Sequence, residues 1–157
     1  MAILLEEEGL FERARIYATD INDAAIQRAR TGVLPLERMQ EYTHNYLRAG
    51  GTRAFCEYYT ADGDGARLRP SLYDQIVFAQ HNLVTDGSFA EFNVILCRNV
   101  LIYFNRTLQQ RVHGLFYDSL AMFGLLALGS KESLKFTKHE PCYEQVCRTG
   151  KIYRKVK

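Results

Sequence analysis

Apolar positions fall in two rhythms along this chain: short unbroken runs, and longer stretches at helical spacing. The opening AILLEEEGL reads as the end of a helix, with apolar Ala2, Ile3, Leu4 and Leu5, solvated Glu6, Glu7 and Glu8, and Gly9 as a C-cap. Residues 15–21 (RIYATDI) predict a short strand. Asn22 stands where an N-cap belongs. A helix is therefore expected to run through Arg30, with Ala24, Ala25, Ile26 and Ala29 inward and Thr31 and Gly32 as its stop. Pro35 opens a second expected helix, ending at about Tyr42.

The pattern changes after Gly50. Tyr, Phe, Val and Thr dominate, and the DGDG at 62–65 marks a turn, so a β-hairpin is expected, followed by a strand at 75–81. Residues 92–97 (FNVILC) suit a strand buried on both faces. Asn105 caps an expected helix over 106–123, with Leu108, Val112, Leu115, Phe116 and Leu120 inward. Residues 125–129 predict another buried strand, and 143–148 and 151–156 flank Thr149 and Gly150 as a closing hairpin. Strands alternating with helices imply an α/β fold with a largely parallel sheet closed by an antiparallel hairpin.

Composition narrows the classes. A chain of 157 residues, 47% hydrophobic, is long enough for one globular domain. The net charge of +2, from 20 basic and 18 acidic side chains, gives no field that would argue for nucleic acid or a membrane surface, and no nucleic-acid partner is expected. The 10 Tyr and 9 Phe fall mostly in apolar runs and read as core. No segment reaches the roughly 18 apolar residues of a membrane span, so the chain does not read as a membrane protein. The cysteines Cys56, Cys97, Cys142 and Cys147 form no CxxC pair, which fits a reduced, cytoplasmic protein. The histidines have no ligand spacing, and no metal is expected.

In open α/β sheets, ligands bind at the carboxyl ends of strands. The first such end carries Asp20, a group able to accept hydrogen bonds from two ribose hydroxyls or to cap the next helix. The second carries His81, Asn82 and Leu83. An Asn offers a donor and an acceptor to an adenine edge and a Leu can cover the ring, although Asn is also a common turn residue. The third carries Arg98 and Asn99 directly after an apolar strand, where packing explains them poorly and Arg98 can bind a carboxylate. Its other reading is a surface Arg paired with an acid. Tyr103 reads as a site hydroxyl or as a core ring with its tip in water, and its sequence surroundings favour the core.

Taken together and in order, IYATDIN, VFAQHNL, FNVILCRNVLIYFNRTLQQRV and LLALGSKESL resemble the CheR-type methyltransferases of bacterial chemotaxis, over nearly the whole chain. CRNVLIYF is the most diagnostic stretch. The resemblance implies a class I methyltransferase (Rossmann-like) sheet with a small inserted antiparallel β-subdomain at about 52–73, all within one partial domain over 1–157. It implies S-adenosylmethionine as methyl donor, S-adenosylhomocysteine as product, and glutamate carboxylates in the cytoplasmic domain of a chemoreceptor-type protein as acceptors. By position, Asp20 would hold the ribose, Asn82 and Leu83 the adenine, and Arg98 and Asn99 would line the crevice between donor and acceptor. Arg98 and Tyr103 are the catalytic candidates. A glutamate carboxylate is ionised at neutral pH, so no general base is required.

Two family features are missing. No glycine-rich turn precedes the ATD acid, so the family's first strand and glycine loop are expected in an upstream segment of the same domain, as is its N-terminal helical domain. The hairpin is also longer than in members that grip a receptor-tail pentapeptide, which leaves the target open. Two other readings stand beside the enzyme: a catalytically silent docking module that keeps the fold, and a methyltransferase for another acceptor.

Overall fold

The computed structural model describes residues 1–63 and 65–157, in two compact units, Met1–His81 and Asn82–Lys157. Part of the expected DGDG turn, Asp64, lies outside the described residues.

In the first unit, α1 (Ala2–Glu7) ends one residue before the turn that leads to Gly9, which is left-handed at φ 67°. Glu6 and Glu7 are not solvated as expected. Glu6 receives the Arg69 guanidinium at 2.5 and 2.6 Å, and Glu7 accepts the hydroxyls of Tyr46 and Tyr58. Burial, then the Glu7 carboxylate, raises the Tyr58 hydroxyl above its ordinary range. These contacts tie α1 to a core of Met39, Phe55, Tyr58, Ala66 and Leu72.

β1 (Ile16–Asp20) pairs in parallel with β5 (Ile76–Gln80), and no other described strand joins that sheet. Between them, Asn22 caps α2 (Asp23–Thr31) and the left-handed Gly32 ends it. Of the expected inner face only Ile26 is buried and Ala25 half-buried; Ala24 and Ala29 are exposed. The helix expected from Pro35 is also displaced. Val33–Leu34 form β2, Leu36–Arg38 a single tight turn, and α3 runs over Met39–Arg48. The expected hairpin is β3 (Tyr59–Asp62) and β4 (Gly65–Leu68), and β2 completes a three-stranded sheet in the order β2-β4-β3.

The second unit holds one sheet, ordered β6-β7-β9-β8, from β6 (Phe92–Cys97), β7 (Leu120–Leu128), β8 (Tyr143–Cys147) and β9 (Ile152–Lys155). β6 and β7 run parallel; β9 is antiparallel to both β7 and β8. α4 (Arg106–Ser119), capped by Asn105, places Val112 and Phe116 in a core with Cys97, Leu126, Leu128 and Tyr153. α4 stops four residues before the expected end because Leu120 already pairs with Phe92. The register then shifts, and Phe123 takes a left-handed φ of 64° that no helix accommodates.

β6 is buried on one face only. Ile95 and Cys97 meet the core, whereas Val94 and Leu96 are 45% and 55% exposed, because no described element covers that face. β1 and β6 each keep an edge on which no described strand pairs.

Candidate functional site

The strand ends singled out in the sequence are built very differently. At the end of β1, Asp20 pairs with Gln80, and its carbonyl accepts the His81 N–H at 3.1 Å. Asp20 Oδ1 accepts the Asn22 N–H at 2.8 Å. The helix cap is Asn22 itself, whose Oδ1 accepts Ala24 N–H at 3.0 Å, so capping does not account for Asp20. Asp20 is exposed, and its second oxygen has no partner among the described residues.

In the second unit, Asn82 begins a turn. Its Oδ1 accepts the Val84 N–H at 2.9 Å, and its own N–H donates to Asp86 Oδ2 at 2.8 Å. The turn role anticipated for an asparagine is thus filled by the oxygen, while the amide nitrogen makes no hydrogen bond among the described residues. Leu83 is half-buried against the core of the unit.

At the end of β6, Cys97 pairs with Leu128, the last residue of β7, so two loops leave side by side. Burial and then the nearby Glu132 charge push the Cys97 thiol up to about 12, which leaves it protonated and inert at neutral pH. Arg98 is exposed, and its guanidinium makes no ion pair or hydrogen bond among the described residues, so the reading as a surface Arg paired with an acid does not hold. Asn99 is left-handed at φ 59°, an uncommon state for a residue with a side chain. The chain then enters a tight turn, Leu101–Tyr103, anchored by Leu101 at 2% exposure. Gln109 Nε2 donates to the carbonyls of Leu101 and Phe104, each at 3.0 Å. Tyr103 is 80% exposed, so the core reading fails there: the tight turn points its ring outward.

One residue at this end escaped the sequence reading. Glu132 is 5% exposed, yet its carboxylate accepts four backbone N–H groups. Oε1 takes Val100 at 2.8 Å and Leu101 at 2.7 Å; Oε2 takes Asn99 at 3.1 Å and Gly129 at 2.6 Å. Its sequence signals were Gly129 three positions earlier, just past an apolar strand, and its place in the LLALGSKESL stretch that carries the family resemblance.

Cavities of about 400 Å³, lined by Val33, Leu34, Pro35, Leu36, Glu37 and Gly63, and of about 140 Å³, lined by residues including Tyr59, Arg67 and Arg69, border the three-stranded sheet rather than the strand ends. Among the described residues no cluster of His, Cys, Asp and Glu could hold a metal ion, and no helix is long and apolar enough to cross a membrane.

Comparison with known proteins agrees with this arrangement. The family model described as CheR methyltransferase, SAM binding domain, matches residues 1–150. A protein of Pseudomonas putida with the provisional name methyltransferase Cher3 is 50% identical over 155 residues, covering 99% of this chain and 57% of its own. The chemotaxis protein methyltransferase of Listeria innocua is 33% identical, covering 85% of this chain and 48% of its own. That of Escherichia coli is 32% identical, covering 77% and 42%. The chain thus spans about half the length of the curated relatives it matches. Among solved structures, the N-methyltransferase NodS of Bradyrhizobium japonicum, in complex with S-adenosyl-L-homocysteine, superposes with a TM-score of 0.51 at 14% identity, over 91% of this chain and 67% of that one. The fold is that of the class I, Rossmann-like methyltransferases, and S-adenosylmethionine is the cofactor of the domain. The chain belongs to the CheR methyltransferase family, within its S-adenosylmethionine-binding domain.

Proposed function

We propose that the polypeptide carrying this chain transfers methyl groups from S-adenosylmethionine to glutamate carboxylates of a chemoreceptor-type protein in the cytoplasm, giving methyl esters. The observation that carries this reading is Arg98. It stands exposed at the end of β6 with no acid partner among the described residues, on a backbone that is firmly held. A planar guanidinium so presented suits a carboxylate acceptor. The names of the Listeria and Escherichia coli relatives support a chemotaxis substrate.

The cofactor supplies a methyl group on a positively charged sulfur. Taken singly, the side chains suit it: among the described residues Asp20 keeps a carboxylate oxygen free for ribose hydroxyls, Asn82 an amide nitrogen for the adenine, and Leu83 is an apolar cover. Asn99 is assigned, with Arg98, to the crevice between donor and acceptor, and Tyr103 offers an exposed side chain. The acceptor is ionised at neutral pH, so these residues bind and align rather than move a proton. Residues 1–157 act as part of one such domain, with about 52–73 as its β-subdomain. An upstream segment of the same domain is proposed as a further partner.

The test is methyl transfer from radiolabelled donor to the methylatable cytoplasmic region of a chemoreceptor, with base-labile product as the sign of an ester. Arg98→Ala should lower turnover by about tenfold to a hundredfold, the equivalent of roughly 1.5–3 kcal/mol for a hydrogen bond to a charged group. Arg98→Lys should recover little of it, since a point charge replaces a fork. Wild-type turnover in the Lys variant would remove Arg98 from this role. A folded polypeptide that binds no donor would instead favour a docking module, and donor binding without receptor methylation would favour another acceptor.

A further inference from the structure

We propose that Glu132 is a positioning residue for Arg98 and Asn99: its carboxylate fastens together the loops that leave β6 and β7 and so fixes the backbone from which Arg98 projects. The inference rests on the reading above, in which Arg98 orients the acceptor.

The geometry is that of an anion held in a backbone nest. Asn99 is left-handed and Val100 right-handed, with φ −114° and ψ −48°. Such a succession turns consecutive N–H groups toward one point. Here the point is Glu132, whose oxygens receive Asn99, Val100 and Leu101 from one loop and Gly129 from the other. No Lys or Arg pairs with this carboxylate among the described residues. A buried carboxylate is costly to desolvate, but an apolar side chain there would leave four backbone N–H groups without an acceptor. What the carboxylate supplies is convergence of four donors on acceptor-only atoms.

Gly129 completes the fit. A Cβ there would meet Asn99 Oδ1 and Glu132 Oε2 at 2.7 Å and Asn99 N at 2.8 Å. The Asn99 side chain thus lies directly over the glycine. Gln cannot replace Glu132, because its NH₂ would face backbone donors on one side. Asp is one methylene short of reaching both loops.

The test is a double-mutant cycle with a second readout independent of activity. At a temperature where circular dichroism shows each variant of the whole polypeptide folded, Glu132→Gln should lower receptor methylation at least tenfold, and Glu132→Asp should restore little. Combined with Arg98→Ala, it should cost no more than about threefold beyond the slower single variant, because both act through one segment. Amide hydrogen exchange at Asn99, Val100, Leu101 and Gly129 should rise in Glu132→Gln while that of the β7 and β9 amides stays protected. Unchanged exchange at those four amides, or losses that multiply fully in the double variant, would overturn the proposal. An impaired Arg98→Ala beside an unimpaired Glu132→Gln counts against this inference alone. A fully active Arg98→Ala counts against the role of Arg98 as well.

Discussion

Asp20 and Glu132 both stand at or just beyond the carboxyl ends of parallel-paired strands, and their surroundings are opposite. Glu132, beside β6 and β7, is buried and saturated by four N–H groups. Asp20, ending β1, is exposed and accepts a single described bond to its carboxylate, from Asn22 two residues away. A saturated, buried carboxylate has no capacity left for a ligand and serves the backbone around it. An exposed one with an open oxygen has capacity for a ligand and little influence on the fold. Within the second unit a similar contrast separates two polar side chains: Arg98 gains a fixed backbone without spending its guanidinium, whereas Asn82 spends its oxygen on its own turn.

The sharpest way to break the contrast is to crowd the saturated end. Gly129→Ala puts a methyl against Asn99 and Glu132. Overpacking costs about 1–3 kcal/mol, and displacing a hydrogen bond to a charged group adds roughly 1.5–3 kcal/mol. Thermal unfolding should shift down by several degrees and receptor methylation should collapse. A melting point and a turnover both at wild-type level would show that the two loops are not tightly coupled.

At the open end the effect should be smaller and of another kind. Asp20→Ala should weaken binding of S-adenosylhomocysteine by about 1.5–3 kcal/mol and leave the melt nearly unchanged, since Asn22 keeps the helix cap. Unchanged affinity would assign Asp20 to the local turn alone. A large fall in melting temperature would erase the distinction between the two acids.

This difference also explains what the sequence disclosed. Asn22, Gly32 and the strands around Asp20 and Gln80 were legible because caps, turns and short apolar runs are local signals. So were Arg98 and Asn99, polar residues directly after an apolar strand. Three features were hidden because they depend on distant partners. β2 is only Val33–Leu34 and exists by pairing with β4. The end of α4 at Ser119 is set by Leu120 pairing with Phe92, while the apolar pattern runs on at helical spacing. Glu132 sits in a polar loop, GSKES, where an acid looks solvated, and only the fold brings the N–H groups of Asn99, Val100 and Leu101 to it. Glu6 and Glu7 misled in the same way, being held by Arg69, Tyr46 and Tyr58 from far along the chain.

The central claim is that these strand ends serve S-adenosylmethionine, and calorimetric titration of the whole polypeptide with S-adenosylhomocysteine tests it most directly. The account predicts one site per chain with a dissociation constant on the order of micromolar, about −8 kcal/mol, weakened by Asp20→Ala. A cooperatively folded polypeptide that gives no binding heat at any temperature, and no thermal shift with excess S-adenosylhomocysteine, would contradict it.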